Sequence, residues 1–162
     1  MGLMHNINKM MSSEKFDWES PDWVFNELDA LYGFAQDVCA DEHNTKCEDY
    51  IDTSQNGLKT PWKSPYWMNP PYGKALSYWI DAAIRNLEKG SIGAILIPSR
   101  TDTKWFGRLW KYASAICFIQ GRLIFKGANS SAPFPSAVAL MGLPIDLSFW
   151  SRKWNICFPR RK

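Results

Sequence analysis

Four consecutive residues, Asn69, Pro70, Pro71 and Tyr72, combine types that could do chemistry. Pro71 removes a backbone donor and restricts Pro70, so the segment is stiff and not part of a helix or ladder. Such a turn leaves carbonyls exposed and points the Asn69 amide outward. An amide oxygen beside a fixed carbonyl can accept two hydrogen bonds from one –NH₂ group. Tyr72 adds a flat face for stacking a planar ring. An amine conjugated with a ring is a poor nucleophile. Two acceptors on its hydrogens favour a pyramidal nitrogen, whose lone pair can then reach a methyl donor. Catalysis of this kind rests on positioning and electrostatics, without a covalent enzyme intermediate.

The elements around this turn place it on a rim. Tyr66-Trp67-Met68 reads as a short apolar strand before it. Leu76, Trp79, Ile80, Ala83, Ile84 and Leu87 recur at helical spacing after it and stop at Gly90. A strand-to-helix junction in an open α/β sheet is where ligands bind. Upstream, Ser20-Pro21 has the form of a helix start, with Val24, Leu28, Leu31 and Tyr32 following and Gly33 as the stop. Phe34–Ala40 predicts a buried strand, and Asn44–Tyr50 a short helix. Downstream, Ile92–Ile97 and Ala115–Ile119 predict strands. Between them lies a helix carrying Phe106, Leu109 and Trp110, capped by Thr101 or Asp102. Gly121-Arg122 is a turn after which Leu123–Phe125 pairs back, and Ser136–Met141 is the last strand. The order predicts a single α/β domain over residues 14–158, its sheet mostly parallel and finishing in an antiparallel hairpin. Residues 1–13 read as a disordered start and 159–162 as a basic tail.

Charge is divided along the chain. Residues 1–60 hold four Lys/Arg against twelve Asp/Glu, and residues 61–162 hold fifteen against four. An acidic part suits a cationic ligand and a basic part a polyanion. No apolar run is long enough to cross a membrane. The four cysteines have no framework spacing, which suits a reducing cytoplasm. Cys39, His43 and Cys47 are spaced by four, but a fourth ligand is missing, so no metal is expected.

Several ordered blocks together resemble the phage-type DNA N6-adenine methyltransferases: Trp18-Glu19-Ser20-Pro21; Asp37-Val38-Cys39-Ala40 with Asn44 and Cys47; Asn69-Pro70-Pro71-Tyr72-Gly73; Ile97-Pro98 with Thr101-Asp102-Thr103-Lys104-Trp105-Phe106; Gly121-Arg122-Leu123-Ile124-Phe125; and Ala132-Pro133-Phe134-Pro135-Ser136. The resemblance implies a Rossmann-like fold dependent on S-adenosyl-L-methionine, acting on adenine in DNA that is flipped out of the duplex. It implies catalytic roles for Asn69, Pro70, Pro71 and Tyr72. For the cofactor it implies Trp18, Ser20, Pro21, Asp37, Cys39, Ala40 and Asn69, with one acid from Asp41, Asp49 and Asp52, of which Asp52 is favoured. DNA contacts fall to Lys63, Arg100, Lys104, Arg122 and Lys126. A lone domain of this size is expected to act as a monomer or weak dimer in the cytoplasm, that of a host cell if the chain is phage-encoded.

Two departures stand out. No glycine-rich loop follows the first strand. Only 28 residues separate Ala40 from Asn69, too few for the two strands and two helices the usual fold places there, so the sheet is expected to be trimmed or reordered. Rival readings are a protein-glutamine methyltransferase, an RNA or cytosine-N4 amino-methyltransferase, and a non-catalytic DNA-binding protein that keeps the fold.

Overall fold

Nearly every residue of the six strands is apolar, because both faces of the sheet they form are covered. The computed structural model describes residues 18–146 and 154–157. Its strands are β1 (Gln36–Asp37), β2 (Tyr66–Met68), β3 (Gly93–Pro98), β4 (Ala115–Ile119), β5 (Ser136–Met141) and β6 (Trp154–Cys157). They form one sheet in the order β1-β2-β3-β5-β4-β6. The helices are α1 (Asp22–Tyr32), α2 (Leu76–Glu88) and α3 (Lys104–Tyr112). One face of the sheet, with Tyr66, Met68, Ile95 and Ile97, packs under α2 and α3. The other, with Trp67, Leu96, Val138 and Leu140, packs against α1 and the irregular segment carrying Leu123 and Phe125.

The sheet is mixed, which corrects the mostly parallel expectation. β1–β2 and β2–β3 are parallel ladders. β3–β5, β4–β5 and β4–β6 are antiparallel. β5 inserts between β3 and β4, so β4 runs in the same direction as β3 without touching it. The exits of β1, β2, β3 and β4 therefore share one rim, and β5 starts from it.

Local chemistry explains the other differences. The Phe34–Ala40 strand is reduced to Gln36–Asp37, although Val38 N–H still donates to the Trp67 carbonyl. No helix forms over Asn44–Tyr50. The Asp41 carboxylate accepts from the His43 and Asn44 N–H groups, and such side-chain bonds compete with helix. The loop instead returns to β1: Asp37 N–H donates to the Asp49 carbonyl and Ile51 N–H to the Asp37 carbonyl, with an isolated parallel bridge at Tyr50. Between β1 and β2 the described chain has this bridge and no helix, so the sheet is trimmed there. Ser20 does not cap α1; the Pro21 carbonyl accepts from Val24 and Phe25 instead. Thr103, and neither Thr101 nor Asp102, caps α3, its hydroxyl accepting from Phe106 N–H at 3.3 Å. Leu123–Phe125 does not pair back on β4, whose two edges are taken by β5 and β6. Ser136–Met141 is followed by β6 and so is not the last strand. The expectations for residues 1–13 and 159–162 lie outside the described residues.

Glycine chemistry tests this packing. A Cβ at Gly93 would collide with the Tyr66 backbone carbonyl and ring across the β2–β3 ladder. A Cβ at Gly107, within α3, would meet nothing. Gly93→Ala is expected to lower stability by about 2–3 kcal/mol. Gly107→Ala is expected to raise it by about 0.5–1 kcal/mol by relieving a helical glycine. Urea denaturation midpoints of the two variants check both signs.

Candidate active site

A pocket opens on the rim shared by the strand exits. It is lined by Trp18, Glu19 and Ser20 before α1, by Asp37, Cys39, Ala40 and Asp41 at the end of β1, and by Asn44 and Ile51–Thr53 from the loop. Asn69, Pro70 and Pro71 after β2 complete it, with Gly57 and Trp79. Of the residues marked in the sequence for a cofactor, Trp18, Ser20, Asp37, Cys39, Ala40, Asp52 and Asn69 are brought together here. Pro21 is buried just outside, where it starts α1.

Asn69 is oriented by one bond. Its amide nitrogen donates to the Trp18 backbone carbonyl at 2.5 Å. That assigns the nitrogen end of the amide and leaves Oδ1 as the other end. Oδ1 is buried and has no hydrogen-bond partner. An unmet acceptor costs about 1–3 kcal/mol, which an incoming N–H group would recover.

Tyr72 does not line the pocket. Its ring stands edge-on to Phe125 and Phe134, at 6.1 and 5.6 Å between centroids, and the Trp18 ring contacts the same two phenylalanines. The Tyr72 hydroxyl donates to the Leu96 carbonyl at 3.4 Å. Burial pushes its pKa upward, so it stays protonated. The four rings form an aromatic cluster that joins the Asn69–Tyr72 turn to the segment after β4.

The pocket wall is acidic. Glu19, Asp37, Asp41 and Asp52 line it, and no lysine or arginine does. Asp37 is the buried one, 3% exposed. It accepts from Cys39 N–H at 3.3 Å and Lys46 N–H at 3.1 Å. Burial outweighs those bonds and raises its pKa to about 6. Asp52 is pulled below the usual range, chiefly by the Ser54 hydroxyl. Asp49 lies outside the pocket, held by Lys63 and Gln36. Of the three acids considered for one cofactor role, Asp41 and Asp52 thus share the pocket and Asp49 does not. Burial pushes the Cys39 thiol well up and takes that of Cys47 to about 12, so neither is a thiolate at neutral pH. Among the described residues no group of three or more His, Cys, Asp or Glu is placed to hold a metal, and no helix is long and apolar enough to cross a membrane.

The basic residues divide. Arg100 and Lys104 are exposed after β3 and Arg122 after β4, on the pocket rim. Lys126 is exposed there too, but its amine pairs with Glu19 at 3.0 Å and its N–H donates to the Glu19 carbonyl. Lys63 precedes β2, at the opposite end of that strand from Asn69, and is ion-paired with Asp49. It is not brought to the rim.

Sequence reasoning missed the role of Glu19 as a junction, its carboxylate 3.5 Å from the Lys46 amine as well. It also read Trp79 as core only. Helical spacing marks a residue as inward-facing without telling whether a cavity lies inside.

Similarity to known proteins decides the family. The profile described as DNA N-6-adenine-methyltransferase (Dam) matches residues 8–143. The chain belongs to the Dam family. It is 34% identical over 125 residues to the DNA N-6-adenine-methyltransferase of Haemophilus phage HP1, covering 75% of this chain and 68% of that one. It is 30% identical over 109 residues to the enzyme of the same name from Escherichia phage T1, covering 65% of this chain and 45% of that one. Within the Dam family chain, the Asn69–Tyr72 turn thus sits on the rim of the acidic pocket described above.

The raised Asp37 pKa has a stability consequence with a defined sign. The native chain holds this proton more tightly than the unfolded one. The Asp37 contribution is therefore greatest below pH 3.8 and is lost as pH rises to about 6. The Tm of wild type minus that of Asp37→Asn should fall across this interval and level off above it. A difference constant with pH would contradict the shift.

Proposed function

We propose that this Dam family protein transfers a methyl group from S-adenosyl-L-methionine to the N6 amino group of adenine in double-stranded DNA. The observation that carries the reading is the buried, unpartnered Asn69 Oδ1 at the edge of a pocket walled by four acids and no base. The cofactor fits such a wall because it carries a sulfonium and an ammonium, and when bound it supplies an electrophilic methyl group. The acids attract those charges, and Asp41 or Asp52, both in the pocket wall, accepts from ribose hydroxyls. Asp37, Cys39 and Ala40 lie beneath it, and the backbone at Trp18–Pro21 before α1 faces its methionine end.

For the target, Asn69 Oδ1 and the Pro70 carbonyl accept the two amine hydrogens. This favours a pyramidal nitrogen and directs its lone pair toward the pocket. Pro71 keeps the turn stiff, and Tyr72 braces it from behind through the Phe125 and Phe134 rings. The base has to leave the duplex to reach Asn69. Arg100, Lys104, Arg122 and Lys126 offer the phosphate contacts on that rim; Lys63 is left out of this set by its position. DNA as substrate places the work in a host cytoplasm.

Two measurements test this. The first follows labelled methyl from the cofactor into unmethylated duplex DNA, with nucleoside mass spectrometry. Wild type should yield N6-methyl-2′-deoxyadenosine, and Asn69→Ala should lose about a hundredfold or more in rate. Label in RNA or protein, and none in DNA, would overturn the substrate. The second is calorimetric titration with the cofactor between pH 5 and 8. Asp37 is neutral below about pH 6 and anionic above it, so binding should tighten as pH rises through that value. In Asp37→Asn the dependence should be flat.

A further inference from the structure

The segment after β4 carries a side chain that the folded chain itself does not use. Gly121 (φ 82°) and Gly127 (φ 81°) bracket it in left-handed conformations. Its backbone is pinned at two points: Ala132 N–H donates to the Leu123 carbonyl at 2.7 Å, and Lys126 N–H to the Glu19 carbonyl at 3.0 Å. Between the glycines exposure alternates as in an extended chain. Leu123 and Phe125 are buried, at 2% and 1%, while Ile124 is 59% exposed. Arg122, Ile124 and Lys126 therefore share one outward face, an aliphatic side chain between two cations. Arg122 has no ion pair among the described residues.

Placement gives this face meaning. Phe125, the neighbour of Ile124, is one of the two phenylalanines whose rings meet both Trp18 and Tyr72. Ile124 is thus the chain neighbour of a ring in the aromatic cluster behind the Asn69–Tyr72 turn, with its own side chain on the opposite, outward face. A β-branched side chain is stiff, and this one stands on a pinned backbone. A lone exposed aliphatic side chain is ordinary; this one stands on the rim shared by the strand exits, beside the cation Arg122, and that pairing suits a polyanion.

The geometry points to Ile124 as a positioning residue that wedges into the DNA base stack beside the target adenine, with Arg122 on a neighbouring phosphate. This rests on the DNA adenine-methylation reading. The wedge fills space left when the adenine turns out toward Asn69, and so favours the extruded state without touching the reacting atoms. Apolar side chains inserted between base steps act in this way in DNA-bending proteins.

The test uses the full chain and a duplex containing an adenine that wild type has been shown by sequencing to methylate. Two versions are compared, one with the adenine paired to thymine and one with it opposite an abasic site, where extrusion needs no unpairing. Single-turnover methylation by Ile124→Ala should fall about tenfold to a hundredfold on the paired duplex. It should stay within about threefold of wild type on the abasic one. Ile124→Leu, which keeps an apolar wedge, should retain the rate on both. An Ile124→Ala rate unchanged on paired DNA, or reduced equally on both duplexes, would overturn the wedge. Wild type inactive on all DNA would instead remove the underlying methylation reading, so the two failures are distinct.

Discussion

The hydrogen bond from the Asn69 amide nitrogen to the Trp18 carbonyl organises the rim. It joins the chain just before α1 to the turn after β2, fifty-one residues on. Because the nitrogen is spent on a fixed backbone acceptor, the oxygen is the end that remains for a ligand, and it can act only as an acceptor. The two prolines that follow keep the turn from relaxing into regular structure, where that oxygen would find a partner within the protein. An orphaned acceptor is normally a cost to a fold. Here the same bond that orients the side chain sustains that cost.

Around this point the chain separates its charges. Four of the twelve acids of residues 1–60 collect on the β1 side of the rim: Glu19, Asp37, Asp41 and Asp52. The exposed cations Arg100, Lys104 and Arg122 come from loops after β3 and β4, across the rim. Glu19 stands at the junction, paired with Lys46 on one side and Lys126 on the other. The rim thus carries an acidic surface on one side of the turn and exposed cations on the other. The sheet order makes this possible, since inserting β5 between β3 and β4 brings the exits of both strands to the same rim as β1 and β2.

Much of the site is legible in the amino-acid sequence. Proline and glycine forbid regular structure at 70–73 whatever surrounds them, and the apolar strand and amphipathic helix on either side place the turn on a rim. Resemblance groups Ser20, Asp37, Ala40 and Asn69, and the fold brings them to one pocket. What the sequence hides has physical causes. The 44–50 helix is lost to side-chain bonds from Asp41. Leu123–Phe125 has the alternation of a strand, but both edges of β4 are occupied, which only the tertiary arrangement decides. The mixed sheet is hidden because buried parallel and antiparallel strands carry the same apolar runs. Lys63 draws attention by its charge, and charge does not say at which end of a strand a loop lies.

The loop between β1 and β2 is asked to do two things at once. In place of further strands, a bridge at Tyr50 and three backbone bonds, from Asp37, Ala40 and Ile51, close the outer edge of β1. The same stretch supplies Asn44 and Ile51–Thr53 to the pocket wall. Edge protection and pocket formation therefore rest on the same bonds. When the loop peels away, it exposes a strand edge and dismantles the pocket together. A stretch that covers a strand edge cannot leave it without also taking away its share of the pocket wall, so the sheet edge and the pocket are kept by one set of backbone bonds.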